Sequence, residues 1–140
     1  MSAGLKKEVL SKSSKCPCGS KKKYAKCCGQ FIKDDNVPLT AEELMRSRFT
    51  AYAIKNEAYL LATWHESTRP SKLDLENDLT QWVKLDILKM VAGKQSDDKG
   101  MVEFSAYFKV GDKSQALHEK SNFLKENGRW YYIDGNLNET

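Results

Sequence analysis

The chain of 140 residues is long enough for one modest domain with a small appendage, and a hydrophobic content of 40% supports a packed core. It lacks both the roughly 18 apolar residues of a membrane-spanning helix and the apolar stretch of a secretory signal, so we expect a cytoplasmic protein without a membrane span. The net charge of +4 is uneven, because residues 1–33 hold nine lysines against one acid, Glu8, and the remainder is net negative. This asymmetry indicates two bodies with different partners.

The lysine-rich N-terminus falls into two predicted parts. Residues 1–15 are typical of a flexible, solvated tail. Residues 16–32 continue the positive charge but also contain all four cysteines of the chain, which a simple solubilising tail does not require. We therefore predict a tail followed by a small basic module.

The four cysteines predict a metal site in that module. They are Cys16, Cys18, Cys27 and Cys28. Clustered cysteines in a cytosolic protein more often bind metal or carry out redox chemistry than form disulfides. A redox pair would more often have the form Cys-x-x-Cys, which is absent. A disulfide between the adjacent Cys27 and Cys28 and an iron–sulfur cluster are weaker alternatives, because the first is strained and the second would have very tightly spaced ligands. Four thiolates complete the tetrahedral shell of one structural Zn²⁺, which is our prediction.

The cysteine run resembles a known motif. Residues 16–29 read Cys-Pro-Cys-Gly-Ser-Lys-Lys-Lys-Tyr-Ala-Lys-Cys-Cys-Gly, which is similar to the SEC-C motif, named for the C-terminal tail of the translocation ATPase SecA. The departure is Lys21, where the family often has glycine. In SecA the module binds zinc and contacts the chaperone SecB and the ribosome, so the resemblance implies docking on a protein or the ribosome. We expect Tyr24 to pack over the zinc site.

The charge of the module is compatible with such partners. Its lysines suit an acidic protein face or ribosomal RNA phosphate. Arginines and interleaved aromatic residues, which specific nucleic-acid readers use, are missing from it. We therefore expect no sequence-specific DNA binding.

Helices are predicted to follow the module. A linker at residues 33–38 leads to Thr40 and Glu43, which form a capping box for a helix that runs to about Lys55. A second helical piece is predicted over residues 57–64. Ser71 and Asp74 predict another capping box, for a short helix through Leu79.

Strands are predicted in the second half of the chain. Alternation of apolar and polar residues is clearest over residues 102–110. Asn127-Gly128 is a strong hairpin signal. The predicted strands cover residues 82–91, 102–110, 115–126 and 129–134. Helices followed by consecutive antiparallel strands predict an α+β domain with helices on one face of a curved sheet.

A wider resemblance covers nearly the whole chain. The runs at residues 44–52, 63–65 and 121–135 look like YchJ-type (UPF0225-type) proteins, which join a SEC-C motif to an NTF2-like domain. The resemblance implies an NTF2-like (cystatin-like) cone over residues 38–136, which commonly encloses a pocket. Many such domains pair through the outer sheet face, so a homodimer is a further possibility.

Six residues are candidates for a ligand pocket in the cone: Arg48, Tyr52, Trp64, His65, Glu119 and Tyr132. His65 and Glu119 are weak candidates for acid–base catalysis, although His65 is also placed to cap a helix end. Arg48 is predicted to point inward and to pair with Glu119, either to bind an anionic or amide-bearing ligand or to lock helix to sheet. Arg46, about 200° around the helix from Arg48, is predicted to be solvated.

These features favour a binding protein over an enzyme. In the favoured hypothesis the zinc module is an adaptor that docks on a protein or ribosome, and the cone holds a ligand or second partner. The alternative is a small isomerase or hydrolase that uses acid–base residues in the pocket.

Overall fold

The computed structural model of the protein describes residues 14–137, so only Ser14 and Lys15 of the predicted tail at residues 1–15 fall within it. Helices come first and strands follow, as predicted. The helices are α1 (Gly29–Ile32), α2 (Ala41–Ala53) and α3 (Glu57–Ala62), with 3-10 turns at Tyr24–Lys26 and Leu75–Asn77. The strands are β1 (Gln81–Ala92), β2 (Lys99–Val110), β3 (Lys113–Glu126) and β4 (Arg129–Leu137). The α+β fold class is confirmed.

Helix α2 begins at the predicted cap. The Glu43 N–H donates to Thr40 Oγ1 at 3.1 Å, and the Glu43 carboxylate accepts from the Leu39 N–H at 2.7 Å. Side-chain caps of this kind satisfy amides that the first turn leaves unpaired. Within residues 14–137, no helix is both long and apolar enough to cross a bilayer.

The short helix predicted from Ser71 to Leu79 is wrong. Only the 3-10 turn Leu75–Asn77 forms there. The N–H groups of Leu73 and Leu75 donate to the Glu57 carboxylate at 3.0 and 3.1 Å, and Asp74 adopts a left-handed φ of 58°. The amides that would start a helix are therefore already bonded to the first turn of α3.

The strands form one antiparallel meander in the order β1-β2-β3-β4. Asn127 and Gly128 have φ values of 54° and 80°, the left-handed pair that a two-residue hairpin turn requires. Register shifts interrupt β1 between Trp82 and Lys84 and again between Ile87 and Lys89. Such bulges increase the local twist, which curves the sheet around the helix that it covers.

The main core lies between α2 and the concave face of the sheet. Its buried side chains are Ala41, Leu44, Met45, Phe49, Leu85, Val102, Phe104, Ala106, Phe123 and Trp130. The helix start and the β1–β2 connection approach each other closely, because a Cβ at Gly100 would lie 2.5 Å from the Gly93 Cα and 3.2 Å from the Ala41 Cβ. This packing fixes α2 across the sheet, with one side towards the strands and another towards the cysteine segment.

Candidate metal centre and cone cavity

The four cysteines come together as a compact sulfur cluster. The Sγ atoms of Cys16, Cys18, Cys27 and Cys28 all lie within 4.8 Å of one another, and all four are free thiols. A metal–sulfur bond of about 2.3 Å places tetrahedral sulfurs about 3.8 Å apart. The separations therefore fit one metal ion bound by four thiolates.

The backbone around the cluster explains its glycines. Gly19 has a φ of 84°, and a Cβ at Gly29 would lie 2.7 Å from the Tyr24 carbonyl oxygen. The Tyr24 side chain is buried against the cysteines, as predicted. Lys21 also has a left-handed φ, of 71°, a conformation that glycine adopts without steric cost. The motif's frequent glycine at this position is thus explained by the backbone.

Side chains of helix α2 contact the cysteine cluster. Arg46 Nη1 donates to the Cys18 carbonyl at 2.9 Å and lies 3.9 Å from Cys18 Sγ, while Arg46 Nε donates to Glu42 at 2.9 Å. Thr50 Oγ1 lies 3.6 Å from Cys16 Sγ. The predicted solvation of Arg46 is wrong, because the cysteine module covers that side of the helix.

Hydrogen bonds among the thiols lower the pKa values of two cysteines and raise those of the other two. The bond with Cys16 holds the pKa of Cys18 far below its ordinary value, and the bond with Cys28 lowers the pKa of Cys27 to about 6. The partners shift the other way, with the pKa of Cys16 raised to about 11 by its bond with Cys18 and that of Cys28 raised by its bond with Cys16. Some sulfurs therefore donate protons that others accept, and binding of a metal ion would displace those protons.

The module from Ser14 to Ile32 presents two different surfaces. Cys16, Cys18 and Cys28 are buried. Its exposed lysine side chains, which we call the lysine face, are Lys15, Lys21, Lys22, Lys23 and Lys26. The sulfurs lie towards the cone and the charges lie towards solvent.

A cavity of about 200 Å³ lies inside the cone. Its lining residues are Met45, Arg48, Phe49, Tyr52, Trp82, Phe104, Ala106, Leu117, Glu119, Ser121 and Tyr132. Four of the six predicted pocket residues are among them. Trp64 and His65 are not among the lining residues.

The path of the chain after α3 determines where Trp64 and His65 lie. The Trp64 backbone bridges to that of Tyr132, and the His65 N–H donates to the Tyr132 carbonyl at 2.8 Å. The segment therefore runs alongside β4. Its Trp64 ring lies 5.0 Å from the Tyr132 ring, and the His65 ring lies 5.9 Å from that of Tyr131.

Arg48 is buried, with 3% of its surface exposed. Its Nη1 donates to the Leu60 carbonyl at 2.8 Å and to Thr63 Oγ1 at 2.7 Å. Its guanidinium carbon lies 5.1 and 4.6 Å from the ring centroids of Trp64 and Tyr132. Burial lowers the pKa of Arg48. The predicted ion pair with Glu119 is not formed, because the Leu60 carbonyl of α3 and the hydroxyl of Thr63 after it take that place.

Glu119 lies on the cavity wall beside two small residues. Its Oε2 accepts a hydrogen bond from Ser121 Oγ at 2.8 Å. The same carboxylate lies over Gly135, where an added Cβ would overlap it. Gly135 therefore provides the space that the carboxylate occupies.

The histidines have surface partners instead. His65 Nδ1 lies 2.7 Å from Ser67 Oγ, and His65 Nε2 lies 3.2 Å from Glu126. This resembles a nucleophile–base–acid set, but the Ser67 N–H also donates to Nδ1 at 3.1 Å and so competes with the hydroxyl for the same lone pair. His118 Nε2 contacts Glu103 at 2.6 Å. Neither histidine lines the cavity.

Sequence analysis missed the helix residues that touch the cysteine cluster. Arg46 and Thr50 follow Glu42 at intervals of four, which places the three side chains on one side of α2. A polar stripe on a helix that is otherwise largely buried indicates that something polar packs there. That signal was available, although it does not identify the cysteine module as the partner.

Comparison with protein families matches both parts of the chain. The model described as "YchJ, middle NTF2-like domain" matches residues 40–135, and the SEC-C motif model matches residues 13–30. A UPF0225 protein of Chromobacterium violaceum is 50% identical, covering 86% of this chain and 90% of the relative. A UPF0225 protein of Corynebacterium glutamicum is 45% identical, covering 88% of this chain and 97% of the relative.

Two solved structures share the arrangement. The solution structure of a SEC-C motif containing protein from Rhodopseudomonas palustris has a TM-score of 0.77 at 33% identity, covering 89% of this chain and 98% of that one. The crystal structure of a SEC-C motif containing protein from Psychrobacter arcticus has a TM-score of 0.70 at 28% identity, covering 94% and 87% of the two chains.

Proposed function

Since the chain belongs to the UPF0225 family of YchJ-type proteins and carries a SEC-C motif, we propose that it is a cytoplasmic docking protein. One zinc ion holds its basic module, and the cone binds a ligand or second partner. The observation that carries the proposal is the division of the module's surface, with sulfurs towards α2 and the lysine face towards solvent.

Zinc is the metal that best suits the cluster. Four thiolate ligands in a tetrahedral set favour zinc, and a shell with no open position is typical of a structural ion. Arg46 near Cys18 Sγ and Ser20 Oγ at 3.1 Å from Cys27 Sγ supply donors that stabilise negative sulfur. The role of the ion is to fix the fold of the module.

The docking partner presents negative charge. The lysine face has no acidic side chain between Lys15 and Lys26 to neutralise it. Ribosomal RNA phosphate and acidic protein surfaces are both complementary to such a patch, and in either case the affinity falls as salt concentration rises. We propose the ribosome as the first partner to test.

The test compares two charge-matched variants. One replaces Lys21, Lys22, Lys23 and Lys26 with glutamine, and the control replaces the exposed lysines Lys94, Lys109, Lys113 and Lys120 of the strands and their loops in the same way. We expect the first variant to lose salt-sensitive co-sedimentation with purified ribosomes and the control to retain it. Equal sedimentation of both variants would rule out docking through the lysine face. Lysine-to-glutamine substitutions are preferred to substitutions of the cysteines. Cys16 and Cys18 contact α2, so their loss would disturb the cone as well.

A protein partner is distinguished in a second arm. Binding to ribosomes that survives nuclease digestion, or capture of a purified acidic chaperone by wild type and control but not by the lysine-face variant, would identify a protein surface. Loss of binding after nuclease treatment would identify RNA phosphate.

The catalytic alternative depends on Glu119, because this acid–base candidate lines the cavity and His65 does not. A half-buried carboxylate next to an apolar wall is placed for proton transfer to or from a bound ligand. Turnover of a cavity ligand that is abolished in Glu119→Gln would favour an enzyme, and a ligand that stays intact would favour the binding protein.

A further inference from the structure

The size of the cone cavity limits its occupant to a small molecule. Its volume is about 200 Å³, below the roughly 300–1,000 Å³ of pockets that hold drug-sized ligands. Nucleotides and peptides are therefore too large. Most of the wall is apolar or aromatic, including Phe49, Tyr52, Trp82 and Phe104.

The buried guanidinium of Arg48 lies on this wall. Within residues 14–137, the hydrogen bonds of the Arg48 guanidinium to Leu60 and Thr63 both come from Nη1. Tyr52, which also lines the cavity, is a further hydrogen-bond partner of the guanidinium, and no fully buried side-chain nitrogen in that range lacks a partner. Arg48 lines the cavity and is otherwise buried, so any N–H group that these partners leave free faces the cavity.

Among the described residues, no carboxylate forms an ion pair with Arg48. None of the described ion pairs includes it. A buried charge is costly unless an opposite charge and hydrogen bonds satisfy it. The two aromatic rings beside it offset part of the cost and hold the guanidinium plane in place. A guanidinium held in this way at the cavity wall is preorganised to receive an acceptor with negative charge.

The same cavity is lined by the carboxylate of Glu119, of which one oxygen accepts a hydrogen bond. Glu119 Oε2 accepts from Ser121, and in the described part of the chain no hydrogen bond reaches Oε1. Gly135 leaves room for the carboxylate in this position. Its electrostatic attraction to Arg48 contributes to the pKa of that guanidinium, yet no ion pair within 4.0 Å joins them, so the two charges share the cavity without touching.

A ligand with one charge fits this arrangement poorly. A simple anion would be attracted by Arg48 but repelled by Glu119. A simple cation would be attracted by Glu119 but repelled by Arg48. An uncharged ligand would leave the guanidinium without a negative group in direct contact. A ligand that carries both charges satisfies both groups.

We infer that the cavity binds a small zwitterion of the α-amino acid class, which rests on the ligand-binding half of the proposed function and is independent of the docking half. Its carboxylate lies against Arg48, its ammonium lies against Glu119, and its apolar part packs on the aromatic wall. Paired, charge-assisted hydrogen bonds at the two ends supply the selectivity.

The test uses compounds that share an apolar side chain and differ in which charged groups they carry. Full-length, metal-loaded protein labelled with ¹⁵N is titrated with the common L-amino acids, and amide shifts are followed around Glu119 and Ser121. L-leucine is compared with 4-methylpentanoate, which lacks the ammonium, and with 3-methylbutylamine, which lacks the carboxylate; the best-binding amino acid replaces L-leucine if another binds more tightly. We expect the zwitterion to bind about tenfold or more tightly than either analogue.

Glu119→Gln is the decisive variant, because its amide oxygen can still accept from Ser121 and its shape is conserved. We expect it to reduce the preference for the zwitterion over the carboxylate-only analogue by about tenfold. Glu66→Gln, at an exposed position outside the cavity, should leave the preference unchanged. Arg48→Lys is a second variant, and its thermal unfolding is measured beside its affinity so that misfolding is recognised.

Two results would overturn the inference. One is no saturable shift at the cavity with any amino acid. The other is equal or tighter binding of a single-charge analogue to the wild-type protein, which would indicate a plain anion or cation site. The lysine-face variant should bind the amino acid as wild type does, and Glu119→Gln should still dock. Failure of docking and failure of ligand recognition are thereby separated.

Discussion

Arg46 and Cys18 are 28 residues apart in the chain, and the guanidinium of the first donates a 2.9 Å hydrogen bond to the backbone carbonyl of the second. One turn further along the helix, Thr50 Oγ1 lies 3.6 Å from Cys16 Sγ. The cysteine module is therefore attached to α2 by side-chain contacts as well as by the linker at residues 33–38. Stability of the module and stability of the cone are expected to be coupled.

Arg46→Met should destabilise the protein by about 1–2 kcal/mol, because it leaves the Cys18 carbonyl without its charged donor. The variant should also release metal faster to a chromophoric chelator. Arg129→Met, at an exposed position, is the control and should behave as wild type in both urea unfolding and metal release. Equal unfolding midpoints for the two variants would contradict the proposed attachment.

Metal removal should loosen α2 more than the sheet. The sulfur cluster contacts the helix at Thr50 and Arg46, whereas β3 lies between β2 and β4. Amide hydrogen exchange measured with and without a strong chelator should therefore accelerate at Thr50 and Ala51 well before it does in the centre of β3. Unchanged exchange in α2 after the metal has left would show that the module is energetically separate.

Lys21→Gly should give a more stable protein than Lys22→Gly, by about 1 kcal/mol. Both variants lose one positive charge and gain one flexible residue, but only Lys21 has a left-handed φ, of 71°, where a side chain costs roughly that amount. Chemical denaturation of the metal-loaded proteins measures the difference. The reverse order of stability would contradict the explanation given for the motif's glycine.

Alkaline pH should destabilise the fold through Tyr59. Burial raises the pKa of Tyr59 from 10 to about 12, so the unfolded chain ionises first and the free energy of unfolding falls as pH rises from about 10 to about 12. Since Ser47 Oγ donates to the Leu44 carbonyl, Tyr59 must donate in its 2.6 Å bond to Ser47, and ionisation removes that bond. Tyr59→Phe should lose less stability across this interval than wild type.

Tyr107→Phe is the control for the alkaline experiment, because Tyr107 is exposed on the sheet. It should follow the wild-type curve. Stability measured by urea unfolding at several pH values distinguishes the variants, and parallel curves for all three proteins would show that Tyr59 is not responsible.

Two strand glycines should differ in their tolerance of alanine. At Gly100 a Cβ would lie 2.5 Å from the Gly93 Cα, which is backbone, so Gly100→Ala should cost about 2–3 kcal/mol. At Gly135 the overlap is with the end of the flexible Glu119 side chain, which can move, so Gly135→Ala should cost less than about 1 kcal/mol. Thermal unfolding compares the two variants, and a larger loss in Gly135→Ala would mean that Glu119 is rigidly held.

The elements that sequence analysis located are those with local causes. Alternation over residues 102–110 and the Asn127-Gly128 turn act between near neighbours, so the strands and the last hairpin were predictable. The four cysteines lie within 13 residues, so their convergence required only a short loop. The Thr40 cap acts on an amide three residues away.

The misplaced features have causes that are distant in sequence. The helix predicted after Ser71 fails because Glu57 accepts from its amides. Arg46 is covered because the module folds back on it, and Arg48 bonds to the Leu60 carbonyl because α3 lies against α2. Trp64 lies outside the cavity because the chain follows β4 after α3. Each depends on how elements pack together, which local pattern does not contain.

The attachment of the module to α2 has a consequence for dissecting the protein. The linker at residues 33–38 is the obvious place to cut, but a fragment ending there would lose Thr50 and Arg46 from beside its sulfurs, and the complementary fragment would expose that side of α2 to water. A truncation that abolishes binding would then report damage to both halves rather than the location of a partner. Point substitutions on the lysine face or in the cavity, which leave this contact intact, are the appropriate tools for mapping its interactions in cells.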